Sequence, residues 1–152
     1  MNVCVATNKI GNQVFKILKK EGNFIFSPFA LLTNLAMVAM GAVGGTYLEI
    51  IEGMNLRDYG SFRNINRIIQ DMEAINKMRK DTEKTTNLQM FNTTLLDYTG
   101  EVDQNYKESL LNLFHANIHQ FDLSEPNKVA SLVNNLVSAE TGGKVSQFTD
   151  ET

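Results

Sequence analysis

The most informative segment of the chain covers residues 23–46, Asn23-Phe-Ile-Phe-Ser-Pro-Phe-Ala-Leu-Leu-Thr-Asn-Leu-Ala-Met-Val-Ala-Met-Gly-Ala-Val-Gly-Gly-Thr46. Serine and then proline, at positions 27 and 28, are typical of a helix start, because serine caps free backbone N–H groups and proline suits the first helical position. Between positions 29 and 42 only Thr33 and Asn34 are conventionally polar. Since a helix that is apolar on nearly every face has to be covered, we expect a buried central helix here.

Both flanks of this helix also carry structural signals. The β-prone residues 23–26 before it predict a short strand. After it, three glycines loosen the chain, and we expect Thr46 to cap a short helix that ends near Gly53. Those glycines are Gly41, Gly44 and Gly45.

The rest of the chain alternates helical and strand patterns, which predicts an α+β fold. Helical periodicity covers residues 9–20, 65–75 and 106–114, and a polar break follows at 80–84. Strand patterns cover residues 88–96 and 117–123. A last helix is expected after Ser124-Glu125-Pro126, which repeats the serine-and-proline start, and it ends at Thr141-Gly142-Gly143-Lys144.

Length and composition restrict the classes of protein. The 152 residues suit one domain, with 43% hydrophobic and 20% charged residues. A net charge of −3 argues against nucleic-acid binding. The longest apolar run, residues 35–43, is too short for a membrane span. Because the first residues lack a signal-peptide pattern, we expect a cytoplasmic protein, with an extracellular one as the alternative.

No set of residues predicts an enzyme, a metal site or a cofactor. His115 and His119 are four apart, but the glutamate of a zinc-protease motif is missing and a helix-to-strand junction is expected between them. The single cysteine, Cys4, has no nearby histidine in sequence and is interpreted as part of a flexible terminus. The glycine-rich residues 41–46 lack the Lys-Ser/Thr ending of a phosphate loop.

Two surface features have a functional and a structural interpretation. Basic residues around the predicted helix at 65–75 could bind a polyanion, but acidic residues interrupt them and a solvated helix face is favoured. The sequence Asn92-Thr93-Thr94 is a glycosylation sequon, which matters only if the chain is exported. The candidate polyanion-binding residues are Arg63, Arg67, Lys77, Arg79 and Lys80.

Several segments together resemble the serpin family. Its signature of a short strand, Ser-Pro, a buried helix B and a Gly-Ala-x-Gly-x-Thr turn is matched by residues 23–30, 35–37 and 40–46. Residues 91–123 resemble strand 2A, helix E and strand 1A, and residues 133–145 resemble the end of helix F. The signature residues are Asn23, Ser27, Pro28, Ala30, Gly41, Gly44 and Thr46.

The resemblance implies a partial serpin domain over residues 1–152, with helices A to F and short strands 6B, 2A and 1A. Serpins inhibit serine or cysteine proteases when the cleaved reactive-centre loop inserts into sheet A as an added strand. This loop has no counterpart here, so the target protease would be a partner only of a full-length form. The chain is therefore interpreted as a fragment, a truncated product or a piece of a longer inhibitor. The alternative is a non-inhibitory scaffold that binds a polyanion or a protein.

Two features of the family pattern bear on stability. The family often has a second hydroxyl residue three positions after the serine, in the shutter beneath sheet A, where this chain has Ala30. The resemblance also implies that one face of the apolar helix lacks the cover that later strands provide. We therefore expect the isolated chain to be poorly folded, oligomeric or completed by another polypeptide. That face contains Leu31, Leu35, Val38 and Ala42.

Overall fold

The computed structural model describes residues 3–18, 22–56, 70, 73–74, 77, 80–81 and 90–150. The chain divides into two compact units, Met1–Asp81 and Thr82–Thr152. The first unit contains helices α1 (Val3–Leu18), α2 (Pro28–Gly41) and α3 (Gly44–Gly53). The second contains β1 (Asn92–Asp97), α4 (Gln104–Phe114), β2 (Ala116–Phe121) and α5 (Pro126–Glu140).

Helix α1 begins six residues earlier than predicted, at Val3. Ala6 and Ile10, four residues apart on one helical face, are both buried, which extends the apolar stripe toward the N-terminus. Cys4 is therefore an exposed residue of a helix, and the interpretation of a flexible terminus is wrong.

Helix α2 starts as its sequence predicts. The Ser27 hydroxyl accepts a hydrogen bond from the backbone N–H of Ala30 at 3.1 Å, and Pro28 occupies the first helical position. Thr33 is buried, and its hydroxyl donates to the Phe29 carbonyl at 2.9 Å, so this polar group costs little in the apolar surroundings. The other buried residues of α2 are Leu32, Ala36, Met37 and Ala39.

The described neighbours of helix α2 cover it on one side only. Helix α2 contacts α1 and α3, yet Val38 is 55% exposed. Leu31, Leu35 and Ala42 are half-buried. The expected burial of α2 therefore holds for the opposite side, and the expected lack of cover on this face is confirmed at Val38, because the described neighbours contact only the opposite side. This is the face expected to lack cover from the family resemblance.

The predicted strand at residues 23–26 is irregular in the structure. A strand needs a partner for its ladder hydrogen bonds, and within the described residues none pairs with this segment. The Phe24 ring stacks instead on Phe15 of α1, with 5.7 Å between ring centroids, and on Phe26 of its own segment, at 6.1 Å. Ring stacking therefore connects this segment to α1.

Helix α3 begins at Gly44, so Thr46 lies within its first turn and the prediction that Thr46 caps the helix is wrong. Gly44 has φ +60°, which glycine adopts without strain, and this lets the chain enter the helix two residues before Thr46. The helix ends at Gly53 as predicted, and Asn55 beyond it donates to the Gln13 side chain at 3.0 Å, linking this end to α1.

The second unit contains a parallel βαβ arrangement. Strands β1 and β2 pair in parallel, with Asn92 opposite Ala116 and Asp97 opposite Phe121. Helix α4 is the crossover that parallel strands require. Its buried residues Leu110 and Phe114 form the centre of this unit together with Ala116. The predicted strands and helix are confirmed here, with their ends moved by a few residues.

Helix α5 starts at Pro126 with Glu125 as its N-terminal flanking residue, so Ser124 is not the cap. The Ser124 hydroxyl bonds Asp122 instead, and Glu125 pairs with Lys128 at 2.6 Å. The helix ends at Glu140 with Thr141 as its C-terminal flanking residue, and the following Gly142 has φ +59°. The predicted end of this helix is confirmed.

The predicted helix at 65–75 and the polar break at 80–84 lie mostly outside the described residues. Six positions between 70 and 81 are described, and all are helical and exposed. Because Lys80 and Asp81 are among them, the predicted break at these two residues is wrong: charged residues continue a helix readily on its solvated side. The others are Gln70, Glu73, Ala74 and Lys77.

Gly11 sets the approach of α1 to Pro28. A Cβ atom at Gly11 would lie 2.9 Å from Pro28 Cγ, and the proline ring cannot rotate away. We expect Gly11→Ala to destabilise the chain by about 1–2 kcal/mol, because overpacking exceeds the helix-propensity gain of about 1 kcal/mol. Urea unfolding measures the change. Gly53→Ala is the matched control, since nothing lies within 4 Å of its new methyl group; equal effects of the two substitutions would contradict this account.

Candidate functional site

His115 and His119, which are four residues apart in sequence, lie in different elements. His115 ends α4 in the left-handed region, with φ 49°, and its backbone N–H donates to the Leu110 carbonyl. His119 lies on β2, where its ring stacks on Phe121 at 5.8 Å. Within the part of the chain that the structure describes, no three histidine, cysteine, aspartate or glutamate side chains form a metal-binding group.

The signature residues lie around the start and end of α2. Ser27 is exposed, and its hydroxyl is used by the helix cap. Ala30 takes part in that cap only through its backbone, so its side chain adds no hydrogen bond. Asn23 precedes this cap, and Gly41, Gly44 and Thr46 lie at the junction of α2 and α3. Their role in a shutter stays a prediction.

Asn92 closes the βαβ unit at the start of β1. Its side-chain amide donates to the Phe114 carbonyl, the last residue of α4, at 2.8 Å. Phe114 is 1% exposed, so the carbonyl would have few other partners. One side chain thus satisfies the helix end and fixes where β1 lies relative to it.

Asp97 closes the same unit at the other end of β1. Its carboxylate accepts hydrogen bonds from the hydroxyl and the backbone N–H of Thr99, and from the backbone N–H of Leu123 at 3.3 Å. Hydrogen bonds from the Thr99 hydroxyl and the Thr99 backbone N–H hold the pKa of Asp97 below its usual value, with a smaller contribution from Leu123, and desolvation opposes them. The turn after β1 is thereby tied to the segment after β2.

Asn134 of α5 holds the segment that follows the helix. Its side-chain oxygen accepts from the backbone N–H groups of Phe148 and Thr149 at 2.8 and 3.0 Å, and its amide donates to the Thr149 carbonyl at 3.0 Å. These three bonds return residues 148–149 to the helix. Residues 145–150 have no regular secondary structure, as predicted, yet this side chain orders them.

The candidate polyanion-binding residues are only partly placed. Lys77 and Lys80 are exposed and helical, three residues apart, and therefore neighbours on one helical face. Glu73 lies four residues before Lys77, so the described part of this face carries both signs of charge. Arg63, Arg67 and Arg79 lie outside the described residues.

Sequence reasoning missed the roles of Asn92, Asp97 and Asn134. Each is a short polar side chain at the end of a strand or within a helix, where side-chain-to-backbone bonds are common. The sequence offered a signal only for Asn92, as a sequon, and for Asn134, within the family-like stretch. The bonds themselves join residues 14 to 26 positions apart, which periodicity does not reveal.

Two further features concern the described part of the chain as a whole. Among the described residues, no helix is long and apolar enough to cross a bilayer. The fold is α+β: it contains an apolar helix that its described neighbours cover on one side only, and a pair of parallel strands. In the described part, each strand of that pair has one edge without a ladder partner.

Known proteins share this architecture. The native structure of protease nexin-1 with heparin superimposes with a TM-score of 0.78 at 17% identity, over 96% of this chain and 37% of that one. A cleaved serpin 42Da gives a TM-score of 0.73 at 19% identity, over 94% and 36% of the two chains. The helices and the strand pair therefore follow the serpin arrangement, and the expected incomplete serpin fold is confirmed.

Sequence comparison leads to the same family. The model of the family Serpin (serine protease inhibitor) matches residues 5–152. Intracellular coagulation inhibitor 2 of Tachypleus tridentatus is 28% identical over 152 residues, covering 99% of this chain and 37% of the relative. Alpha-1-antiproteinase S of Cavia porcellus is 26% identical over 139 residues, covering 88% and 33%.

The chain belongs to the serpin family, whose members are protease inhibitors rather than enzymes. It spans about a third of the length of the curated relatives cited here.

The lowered pKa of Asp97 makes the stability of the fold depend on pH. Because the folded-state pKa of Asp97 lies below its unfolded value of about 3.9, the ionised carboxylate stabilises the fold above that pH. This contribution is lost as pH falls through the folded pKa. We expect Asp97→Asn to be less stable than the parent chain at pH 7, and the difference to shrink below about pH 4. Urea unfolding from pH 2 to 7 measures it; a difference that is constant with pH would contradict the assignment.

Proposed function

We propose that this chain is the part of a serine-protease inhibitor that supplies strands of the sheet into which a cleaved loop inserts. Its family membership and the inhibitor names of its relatives support this role. The observation that carries it is the parallel pairing of β1 and β2 around α4. Strands of such a sheet gain main-chain hydrogen bonds when another strand is added beside them.

The chain's own residues contribute support for that sheet. Asn92 and Asp97 fix the two ends of β1 against α4 and the segment after β2. Both bonds bridge elements within the unit, so the strand pair can keep its register while a neighbouring strand is added. Trapping of a protease requires a bait loop, which the 152 residues do not supply. We therefore infer that the chain by itself neither inhibits nor catalyses.

Inhibition is testable with a chimera. The corresponding third of Intracellular coagulation inhibitor 2 is replaced by this chain, which aligns with it over 152 residues. We expect a cooperatively folding chimera to form an SDS-stable adduct with that inhibitor's target protease. A chimera that unfolds cooperatively but is only cleaved would overturn the proposal, because its sheet would not accept the loop.

The separate chain provides the matching negative test. Incubation of the 152 residues with trypsin, chymotrypsin or elastase should give no SDS-stable adduct and no loss of protease activity. Alpha-1-antiproteinase S of Cavia porcellus, incubated in parallel, is the comparison protein. An adduct with the 152-residue chain would show that inhibition does not need residues outside it.

A second role, polyanion binding, is favoured by the exposed pair Lys77 and Lys80 and by the heparin-bound state of the protease nexin-1 structure. In this alternative the chain is a non-inhibitory scaffold that binds a polyanion or a protein. Lys77 and Lys80 would hold the glycan through charge and therefore in a salt-sensitive manner. We retain a cytoplasmic location as the prediction and an extracellular one as its alternative; heparin-type ligands favour the latter.

Heparin affinity chromatography tests this second role. We expect Lys77→Glu combined with Lys80→Glu to lower the salt concentration that elutes the chain. The same charge reversal at Lys9 and Lys16, both exposed on α1, is the matched control and should matter less. Equal effects of the two pairs of substitutions would assign the retention to net charge. If the parent chain is not retained on heparin at low salt, the polyanion-binding hypothesis is wrong.

A further inference from the structure

A polar cleft lies between helix α5 and the segment that follows it in the chain. The cleft has a volume of about 780 Å³, which is within the range of about 300–1,000 Å³ that small-molecule sites occupy. One wall consists of α5 residues and the other of residues 146–150. The described side chains that line the cleft are all polar: Ser131, Asn134, Asn135, Ser146, Gln147 and Asp150.

Hydrogen bonds between the two walls fix the shape of the cleft. Ser131, Asn134 and Asn135 are spaced by three and four residues, so they lie on one face of α5. From that face, the Asn134 side-chain oxygen accepts hydrogen bonds from the backbone N–H groups of Phe148 and Thr149 at 2.8 and 3.0 Å. The second wall is therefore already ordered, and a ligand does not have to offset the entropy cost of ordering it.

Most of the lining groups both donate and accept hydrogen bonds. Five of the six side chains are neutral hydroxyls or amides, and each of these has both functions. Among the described residues, the side chains of Asn135 and Ser146 have no protein hydrogen-bond partner. Asp150 accepts from the Gln147 amide through Oδ1 at 3.2 Å, and its Oδ2 has no partner in the same part of the chain. A ligand that fits these groups therefore has to offer donors and acceptors together.

Three other ligand classes match the cleft less well. An anion would meet the Asp150 carboxylate and no basic side chain among the described lining residues. For a metal ion, the described residues contain no group of three histidine, cysteine, aspartate or glutamate side chains that could hold it. An extended peptide needs pockets for its apolar side chains, and the described lining offers only polar ones. A neutral molecule rich in hydroxyl groups fits best, because every hydroxyl both donates and accepts.

We propose that the cleft between α5 and residues 146–150 binds a short neutral saccharide. The Asn135 amide donates to one sugar hydroxyl and accepts from its neighbour, and Ser146 bonds a further hydroxyl from the second wall. The free Oδ2 of Asp150 accepts from a hydroxyl in a charge-assisted bond, which is stronger than a bond between neutral groups. Asn134 is a positioning residue, since its amide holds the second wall. This inference uses the second unit alone and is independent of protease inhibition and of polyanion binding.

Nuclear magnetic resonance of the isotope-labelled 152-residue chain tests the proposal, with maltose, lactose and N,N′-diacetylchitobiose as the probes. We expect at least one of these sugars to cause saturable shifts of the Asn135 side-chain amide and of the backbone amides of residues 146–150. Asn135→Ala should weaken the binding by about tenfold, because hydrogen bonds at two atoms are lost. Asn12→Ala is the matched control, since Asn12 is also an exposed helical asparagine, and it should leave the affinity unchanged.

Asn134→Ala tests whether the second wall has to be held in place. We expect this substitution to abolish sugar binding and to speed hydrogen exchange at the Phe148 and Thr149 amides, whereas Ser146→Ala should weaken binding without changing that exchange. The proposal is wrong if none of the three sugars shifts the cleft amides, or if Asn12→Ala and Asn135→Ala weaken binding equally. Calcium ions alone causing the same shifts, a sulfated heparin disaccharide binding as tightly as the neutral sugars, or unprotected Phe148 and Thr149 amides in the parent chain would also overturn it.

Discussion

The apolar surface of α2 is the constraint on which the first unit depends. A helix with almost no polar residue cannot stay in water, because each uncovered 100 Å² of apolar surface costs about 2.5 kcal/mol. Helices α1 and α3 contact α2, and α1 approaches Pro28 closely through Gly11. The Ser27 cap fixes where this helix begins and therefore which residues point toward those neighbours. Val38, Leu31, Leu35 and Ala42 form the face that they leave partly open.

The second unit depends on a different requirement, that of joining two parallel strands. Such strands need a crossover, and α4 provides it while burying Leu110 and Phe114 against the unit. The ends of the crossover carry unpaired backbone groups, and the chain satisfies some of them with side chains from the strands. The Asn92 amide donates a hydrogen bond to the Phe114 carbonyl. The Asp97 carboxylate accepts hydrogen bonds from backbone N–H groups that lie beyond the ends of both strands. These bonds hold the two strands and the crossover helix together.

Whether a feature could be predicted from the sequence depends on how far apart in the chain its interacting residues lie. Ser27 and Pro28 form a local signal, and the structure shows the cap that they predict. Thr46 and Ser124 carry the same type of signal, yet neither caps a helix, because the chain enters those helices at Gly44 and Pro126. The strand predicted at residues 23–26 is irregular since strand pairing depends on a distant partner. Asn134 shows the same limit: what it binds lies 14 and 15 residues away.

By itself, the sequence determined the α+β class, the family, the order of helices and strands, and the absence of a recognisable catalytic motif. Those properties depend on periodicity, caps and motifs, which act over a few residues. Only the tertiary structure decided that His115 ends a helix while His119 lies on a strand, that the Phe24 ring stacks between Phe15 and Phe26, and that the amide of Asn92 is already engaged. The physical reason is that side-chain contacts across the fold form only when packing brings distant segments together, and their cost or gain is invisible along the chain.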